Sequence, residues 1–348
     1  MQCSPSSFAA AHPLIVYLCP REVYERKMSR VRFHAMRALA RLTNLVWTGP
    51  GWPGWDDTRS VQANLDRILD QREPQIIVAY KALELRGLTE TRAPRCLRFN
   101  EMYDVDATRR EILESGAELV ICHHRNDFLE WRERLRREGH TRPRLVHIAH
   151  CAEASIFKDY GVPKSIDLML VGACNVHSML GQHYPLRDAM PAVLERLSSR
   201  YRCARFEHPG YEHKDAWTDR YAIDFARAVS ATKICITCSG APRSRYGKYV
   251  EVPMCGTALA ADLPDEAQKA LASFVIELDA TWSHERLCAT LNAALEDPVA
   301  LEARVQRGLA YAQLYTQEQY AQRFLRELRL HLATRARVAA GEYEACKS

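Results

Sequence analysis

Short apolar runs alternate along the chain with longer stretches in which apolar residues recur every three or four positions. Leu14-Ile15-Val16-Tyr17-Leu18, Leu45-Val46-Trp47, Gln75-Ile76-Ile77-Val78-Ala79, Cys96-Leu97-Arg98-Phe99, Leu119-Val120-Ile121-Cys122 and Leu145-Val146-His147-Ile148 have the length and near-continuous hydrophobicity of strands buried on both faces. Helical spacing fills the intervals through Leu65 and Leu69, from Thr108 to Ser115 and from Phe128 to Arg137. Gly116 and Gly139 stand just past two of these helices, where a left-handed residue costs least. This rhythm predicts a parallel α/β sheet.

A second series repeats it: Asp167 to Gly172, a helix from Leu186 to Ser198, a strand from Arg202 to Phe206, a helix from Tyr221 to Ala228, and a strand from Lys233 to Thr237. Between the two lies Cys151 to Ser165, whose Gly161 and Pro163 suit a linker. From Trp282 onward, Leu287, Leu291 and Leu295, then Tyr320, Phe324, Leu328 and Leu332, recur as in helices. The chain has 348 residues, more than one core usually organises. The expected fold class is therefore α/β, with two Rossmann-like domains facing across a cleft and C-terminal helices: residues 1–155, 156–330 and a tail, 331–348.

Composition narrows the function classes. Hydrophobic residues make up 47% and charged residues 26%, too apolar for a disordered chain. No apolar run approaches the ~20 residues of a membrane span, and the start lacks the pattern of a secretory signal, so a cytoplasmic location is expected. Twelve scattered cysteines read as reduced thiols. Cys235-x-x-Cys238 and Cys122-His123-His124 lack a second pair at zinc-site spacing, so no metal is expected. A net charge of +5, spread through interleaved acids and bases, does not indicate nucleic-acid binding. Within residues 21–41, Arg26, Lys27, Arg30, Arg37 and Arg41 oppose Met28, Val31, Ala35, Leu39 and Leu42. That amphipathic helix reads as a solvated face packed on a sheet, the alternative being contact with an anionic acceptor or a peripheral membrane surface.

Ligands of open α/β sheets bind beyond the carboxyl ends of strands. There, the loop Ser239 to Gly247 runs into a short helix carrying Lys248 and Glu251 on one face. The cation can meet a diphosphate and the carboxylate can accept from ribose hydroxyls, a combination that suits a nucleotide sugar; the plain alternative is a surface ion pair. The segment Lys-Tyr-Val-Glu followed by Met-Cys-Gly-Thr-Ala-Leu resembles the K-x-x-E-x-x-A-C-G-x-x-L signature of group 1 glycosyltransferases of the two-domain GT-B fold, in particular their CgeB-like branch. Ala231 to Ile236, Phe206 to Tyr211, Asp167 to Gly172 and Tyr184 to Arg187 extend the likeness, which covers about residues 145–330.

The resemblance implies donor binding in the second half, with Glu251 on the ribose, Lys248 and the loop 239–247 at the diphosphate, and Gly172 allowing close approach. Where many members carry an acidic residue eight positions before that Glu, this chain has Arg243. Arg243 or Arg245 is a candidate to neutralise the leaving diphosphate, or simply part of a solvated loop. Arg187 could also reach phosphate or lie on a helix surface, and Tyr211 could stack or pack as a loop aromatic.

The acceptor hydroxyl needs a base, sought at strand ends of the first half: Glu101 first, then His124, with Asp104, Asp106, His123 and His150 also there. The tryptophans of Gly49 to Trp55 could form a sugar platform or serve a rigid loop. Asp104-Val105-Asp106 lies in the acceptor half, so transfer is expected to be metal-independent, with no cofactor beyond the UDP-sugar donor. The acceptor stays open among saccharide, lipid and protein. The alternatives are a nucleotide-sugar epimerase and a non-catalytic nucleotide-sugar-binding protein.

Overall fold

The structure, a computed structural model, describes residues 12–22, 30–99, 101–208 and 219–340. Strands β1 (Leu14–Leu18), β2 (Asn44–Thr48), β3 (Ile76–Ala79), β4 (Arg95–Phe99), β5 (Leu119–Cys122) and β6 (Arg144–His147) form a parallel sheet in the order β2-β1-β3-β4-β5-β6. Alternate residues feed two cores. Val16 and Leu18 meet α2 (Val61–Ile68), α3 (Val105–Glu114) and α4 (Arg125–Arg137) through Leu65, Ile112 and Trp131. Ile15 and Tyr17 face α1 (Arg30–Ala40) through Ala35, Met36 and Leu39. Caps set the helix starts: the Ser60 hydroxyl accepts from Ala63 N at 3.3 Å, and Asp104 Oδ1 accepts from Ala107 N at 3.0 Å.

The second sheet comprises β7 (Ile166–Val171), β10 (Cys203–Phe206), β11 (Thr232–Ile236), β12 (Ala258–Ala261) and β13 (Ile276–Glu277), parallel in the order β10-β7-β11-β12-β13. A small hairpin, β8 (His177–Ser178) with β9 (Gly181–Gln182), interrupts the loop after β7. On one face Leu168 and Leu170 meet α5 (Pro185–Leu197) and, after α6 (Arg220–Ser230), α7 (Lys248–Met254) and α8 (Gln268–Ala272), also α9 (His284–Glu296). On the other face Met169 and Val171 meet Phe225 and Val229 of α6 and Tyr249 of α7, backed by α10 (Pro298–Ala312).

The last helix, α11 (Gln317–Ala339), follows the second sheet in sequence but buries Tyr320, Phe324 and Leu328 in the core of the first. The expected bounds place its residues 317–330, nearly four turns, with the second half and its end in a tail; it is one continuous helix packed on the first sheet. Of the amphipathic segment, Arg26, Lys27 and Met28 lie outside the described residues. Over the remainder, Ala35 and Leu39 are fully buried, while Arg37 and Arg41 pair with Asp219 and Glu318 at 3.8 and 2.7 Å. All ten cysteines among the described residues are free thiols, and no described helix is long and apolar enough to cross a membrane. Strand order reverses between β1 and β3 in one sheet and between β7 and β11 in the other, and both reversals open a crevice at the carboxyl ends.

Candidate active site

The Lys248 and Glu251 pair forms in the first turn of α7, Nζ to Oε2 at 2.6 Å, with the Glu251 side chain only 8% exposed. A Cβ at Gly247 would sit 2.8 Å from Glu251 Oε1, so the carboxylate would have to shift to accept a larger residue there. The pair opens on a cavity of about 200 Å³. Phe157, Tyr221 and Phe225 supply an apolar wall, and the Lys248 ammonium lies 4.2 Å from the Phe225 ring. His208, at the end of β10, completes the polar side, while His34 of α1 and Gln317 of α11 line it from the first half. Outside α7 only His208 lies in a segment that the sequence singles out; Phe157, His34, Gln317 and the α6 pair Tyr221 and Phe225 come from four separate stretches of chain, so spacing alone does not reveal them.

Arg187 lies at the strand-order reversal of the second sheet. It is 6% exposed, not a helix-surface residue. Its Nε donates to Cys238 Sγ at 3.2 Å beyond β11, its Nη1 donates to Ala173 O at 3.0 Å beyond β7, and it stacks 3.4 Å above the Tyr184 ring. Gly172, at φ 100°, permits this stacking, since a Cβ would collide with the guanidinium. The close approach expected at Gly172 is therefore made by Arg187.

Burial, with Lys248 and Arg187 both close by, pushes the His208 imidazole below its ordinary pKa, so a neutral ring sits between two cations. On the far side of Arg187, His183 is likewise lowered by burial, against the opposing pull of Glu101. His183 contacts Ser178 Oγ at 2.8 Å and Tyr246 OH at 3.2 Å. Glu101 accepts from Tyr103 OH at 3.0 Å, and the Tyr103 ring lies 5.6 Å from His183. Lys248 is paired with Glu251, while His208 feels the charges of Lys248 and Arg187 and His183 those of Arg187 and Glu101. Glu101 also lines a second cavity, of about 270 Å³, over the carboxyl ends of β3 and β4.

His124 is placed differently. It is 1% exposed and lines neither cavity. Its Nδ1 lies 3.3 Å from Asp127 Oδ2 and its Nε2 lies 3.0 Å from His150 Nε2. A proton on Nδ1 facing the carboxylate leaves Nε2 as an acceptor, so His150 donates, and the three form a buried chain. Arg245, 1% exposed, is committed to the contact between the halves: Nε to Glu266 Oε1 at 2.9 Å and Nη2 to His150 O at 2.9 Å. Arg243 pairs with Asp265 at 2.6 Å and donates to Leu263 O. The structure pairs Glu251 with Lys248 at the cavity, sets Gly172 against Arg187, and engages Arg243 and Arg245 elsewhere. Tyr211 lies outside the described residues.

Asp104 caps α3 while Asp106 points to solvent, and among the described residues no three His, Cys, Asp or Glu side chains are grouped as metal ligands would be. Trp52 packs into one core of the first half and donates to Cys19 O at 2.9 Å, whereas Trp55 packs into the other, so the two rings do not form one platform.

No family model matches the sequence, and neither does any curated protein. Solved structures do match. HepE of Anabaena, in complex with UDP and glucose, aligns over 91% of this chain and 100% of its own, with TM-score 0.59 at 12% identity. The fold is GT-B. A sucrose-phosphate synthase of Thermosynechococcus elongatus aligns over 92% and 100% (TM-score 0.57, 12% identity). A Listeria monocytogenes protein assigned as a UDP-N-acetylglucosamine 2-epimerase aligns over 93% and 98% (TM-score 0.54, 13% identity). At such identities the shared feature is the architecture.

Proposed function

We propose that this GT-B protein transfers a sugar from a nucleoside-diphosphate donor, most simply a UDP-sugar, to an acceptor hydroxyl. The observation that carries the reading is the buried Lys248 and Glu251 pair opening on a cavity with an apolar wall, beyond the carboxyl ends of the second sheet. Glu251 accepts from the ribose hydroxyls beside an apolar wall suited to a base. Lys248 and the Arg187 fork take the charge of the departing diphosphate without a metal or cofactor, and neutral His208 offers a hydrogen bond between them. Glu101 takes the acceptor proton as the acceptor oxygen bonds to the anomeric carbon and the bond to the diphosphate breaks. Donor binding then belongs to residues 156–330 and acceptor binding to residues 1–155. The K-x-x-E segment supports placement in the CgeB-like branch, and the free thiols suit a reducing, cytoplasmic setting.

Calorimetry with UDP tests the donor half. Glu251→Ala should weaken binding by about 1–3 kcal/mol, the cost of a charged hydrogen-bond partner. Glu101→Gln should bind UDP normally and lose transfer. Unchanged UDP affinity in the first variant would remove Glu251 from the site. Because an epimerase shares the architecture, the same incubations are read for an epimerised sugar nucleotide formed without acceptor, which would replace transfer as the activity.

A further inference from the structure

The donor cavity draws on both halves of the molecule. Cys151, Ala152 and Gln317 line it where the chain crosses between them, with Ala152 N donating to Tyr315 O at 2.9 Å and Gln317 N to Ala152 O at 3.1 Å. Tyr221, Ala222 and Phe225 of α6 line it from the second half, and His34 of α1 lines it from the first. At the crossings the chain itself joins the halves; between α1 and α6 it does not.

The contact between those two helices centres on Asp219, the residue before α6. An aspartate in that position ordinarily caps the helix by accepting from a backbone N–H of the first turn. The Asp219 side chain makes no such bond. Its carboxylate crosses to α1, where His34 Nε2 donates to Oδ1 at 3.2 Å and Arg37 Nη1 lies 3.8 Å from Oδ2. The His34 side chain is 5% exposed and that of Asp219 19%, so the contact is shielded from the solvent that weakens surface pairs. The backbone of Asp219 is left-handed, φ 52°, a conformation that an L-residue keeps where its surroundings fix it. Among the described residues, the other ion pair between the halves, His147 with Glu266, has no member lining the donor cavity.

Resting on the donor reading above, we infer that Asp219 is a positioning residue of the donor site: through His34 and Arg37 it holds α6 against α1, so that the apolar wall for the nucleotide stands assembled before the donor arrives. Asp219 itself does not line the cavity. Without its carboxylate the assembled cavity becomes one form among others, and donor affinity falls in proportion to the fraction of molecules that keep it.

Asp219→Gly tests this on the full chain, because glycine keeps the left-handed backbone and removes the carboxylate. Calorimetry should show UDP affinity weaker by about tenfold, the loss expected when the assembled form falls to about a tenth of the molecules. Hydrogen exchange should show the α6 amides less protected than in the wild type without ligand, and equally protected at saturating UDP. His34→Ala, which leaves α6 and the charge at its start untouched, should reproduce both effects. The double variant should bind UDP no more weakly than Asp219→Gly alone, since the same contact is lost in each. Unchanged UDP affinity in Asp219→Gly, unchanged α6 protection, or additive losses in the double variant overturns the inference. Should one single variant fail to fold, the other decides. A wild type that does not bind UDP overturns the donor reading instead, with α6 exchange in the variants still deciding whether Asp219 holds the wall.

Discussion

At the scale of single residues, two glycines lack Cβ atoms where charged side chains come close. Gly247 leaves room for the Glu251 carboxylate, and Gly172 leaves room for the Arg187 guanidinium. Gly172 is the stricter case, because its φ of 100° is already unfavourable for an L-residue and Arg187 is fixed by Cys238, Ala173 O and the Tyr184 ring. Gly172→Ala should cost stability by about 1–3 kcal/mol of backbone strain. It should also weaken UDP binding, because relief comes from pushing Arg187 out of the crevice. Arg187→Lys should weaken UDP too, because an ammonium cannot reproduce the guanidinium's contacts to Cys238, Ala173 O and the Tyr184 ring. If Gly172→Ala binds UDP as tightly as the wild type, Arg187 does not serve the diphosphate.

At the scale of elements, β-branched and aliphatic runs announced their strands, and the fully buried β3, Ile76 to Ala79, shows why: a parallel strand covered on both faces needs no polar alternation. Three elements were not legible. β12, Ala258 to Ala261, has no β-branched residue and is a strand because β11 and β13 flank it; β13 and the β8–β9 hairpin are two residues per strand, too short for any periodicity. The site divides in the same way. Lys248 and Glu251 were readable because three residues of helix set their distance. Phe157, Phe225 and His34 were not, because only the folded chain brings them together.

Helix α11 was readable as a helix, but its partner was not, since a 3.6-residue stripe does not say which sheet it covers. Phe324 is fully buried in the core of the first sheet. Phe324→Ala should therefore cost about 3–5 kcal/mol in urea unfolding. A loss below 1 kcal/mol would show that the helix is only loosely docked there.

At the scale of the whole molecule, the two halves are joined by polar contacts, the most buried of them at Arg245 and Glu266. Arg245 reaches Glu266 and His150 O, His147 lies 3.2 Å from Glu266, and Asn126 spans to Pro242 O and Asp265 at 3.0 Å each. Four histidines have pKa values lowered chiefly by burial: His123, stacked on His150 and with Arg98 adjacent, together with His183, His208 and His331. A lowered histidine pKa means that the unfolded chain takes up a proton at about pH 6.5 while the folded chain does not. The stability these groups contribute is therefore complete above that pH and is lost as pH falls below it, at up to about 1.4 kcal/mol per pH unit for each histidine still neutral in the fold.

The carboxylates held low act in a different window. The Glu266 carboxyl, lowered by His147 and Arg245 against its own burial, loses its contribution only as pH falls below the ordinary glutamate range. Melting temperature should thus decline between pH 7.5 and 5.5, above the ordinary carboxylate range. His123→Gln, which removes the most deeply buried of the four, should flatten that decline even if it lowers the plateau. A melting temperature constant across this window would mean that these imidazoles take up protons in the folded protein as readily as in the unfolded chain. The ring of His208 would then become a further cation beside Lys248 and Arg187 as pH falls.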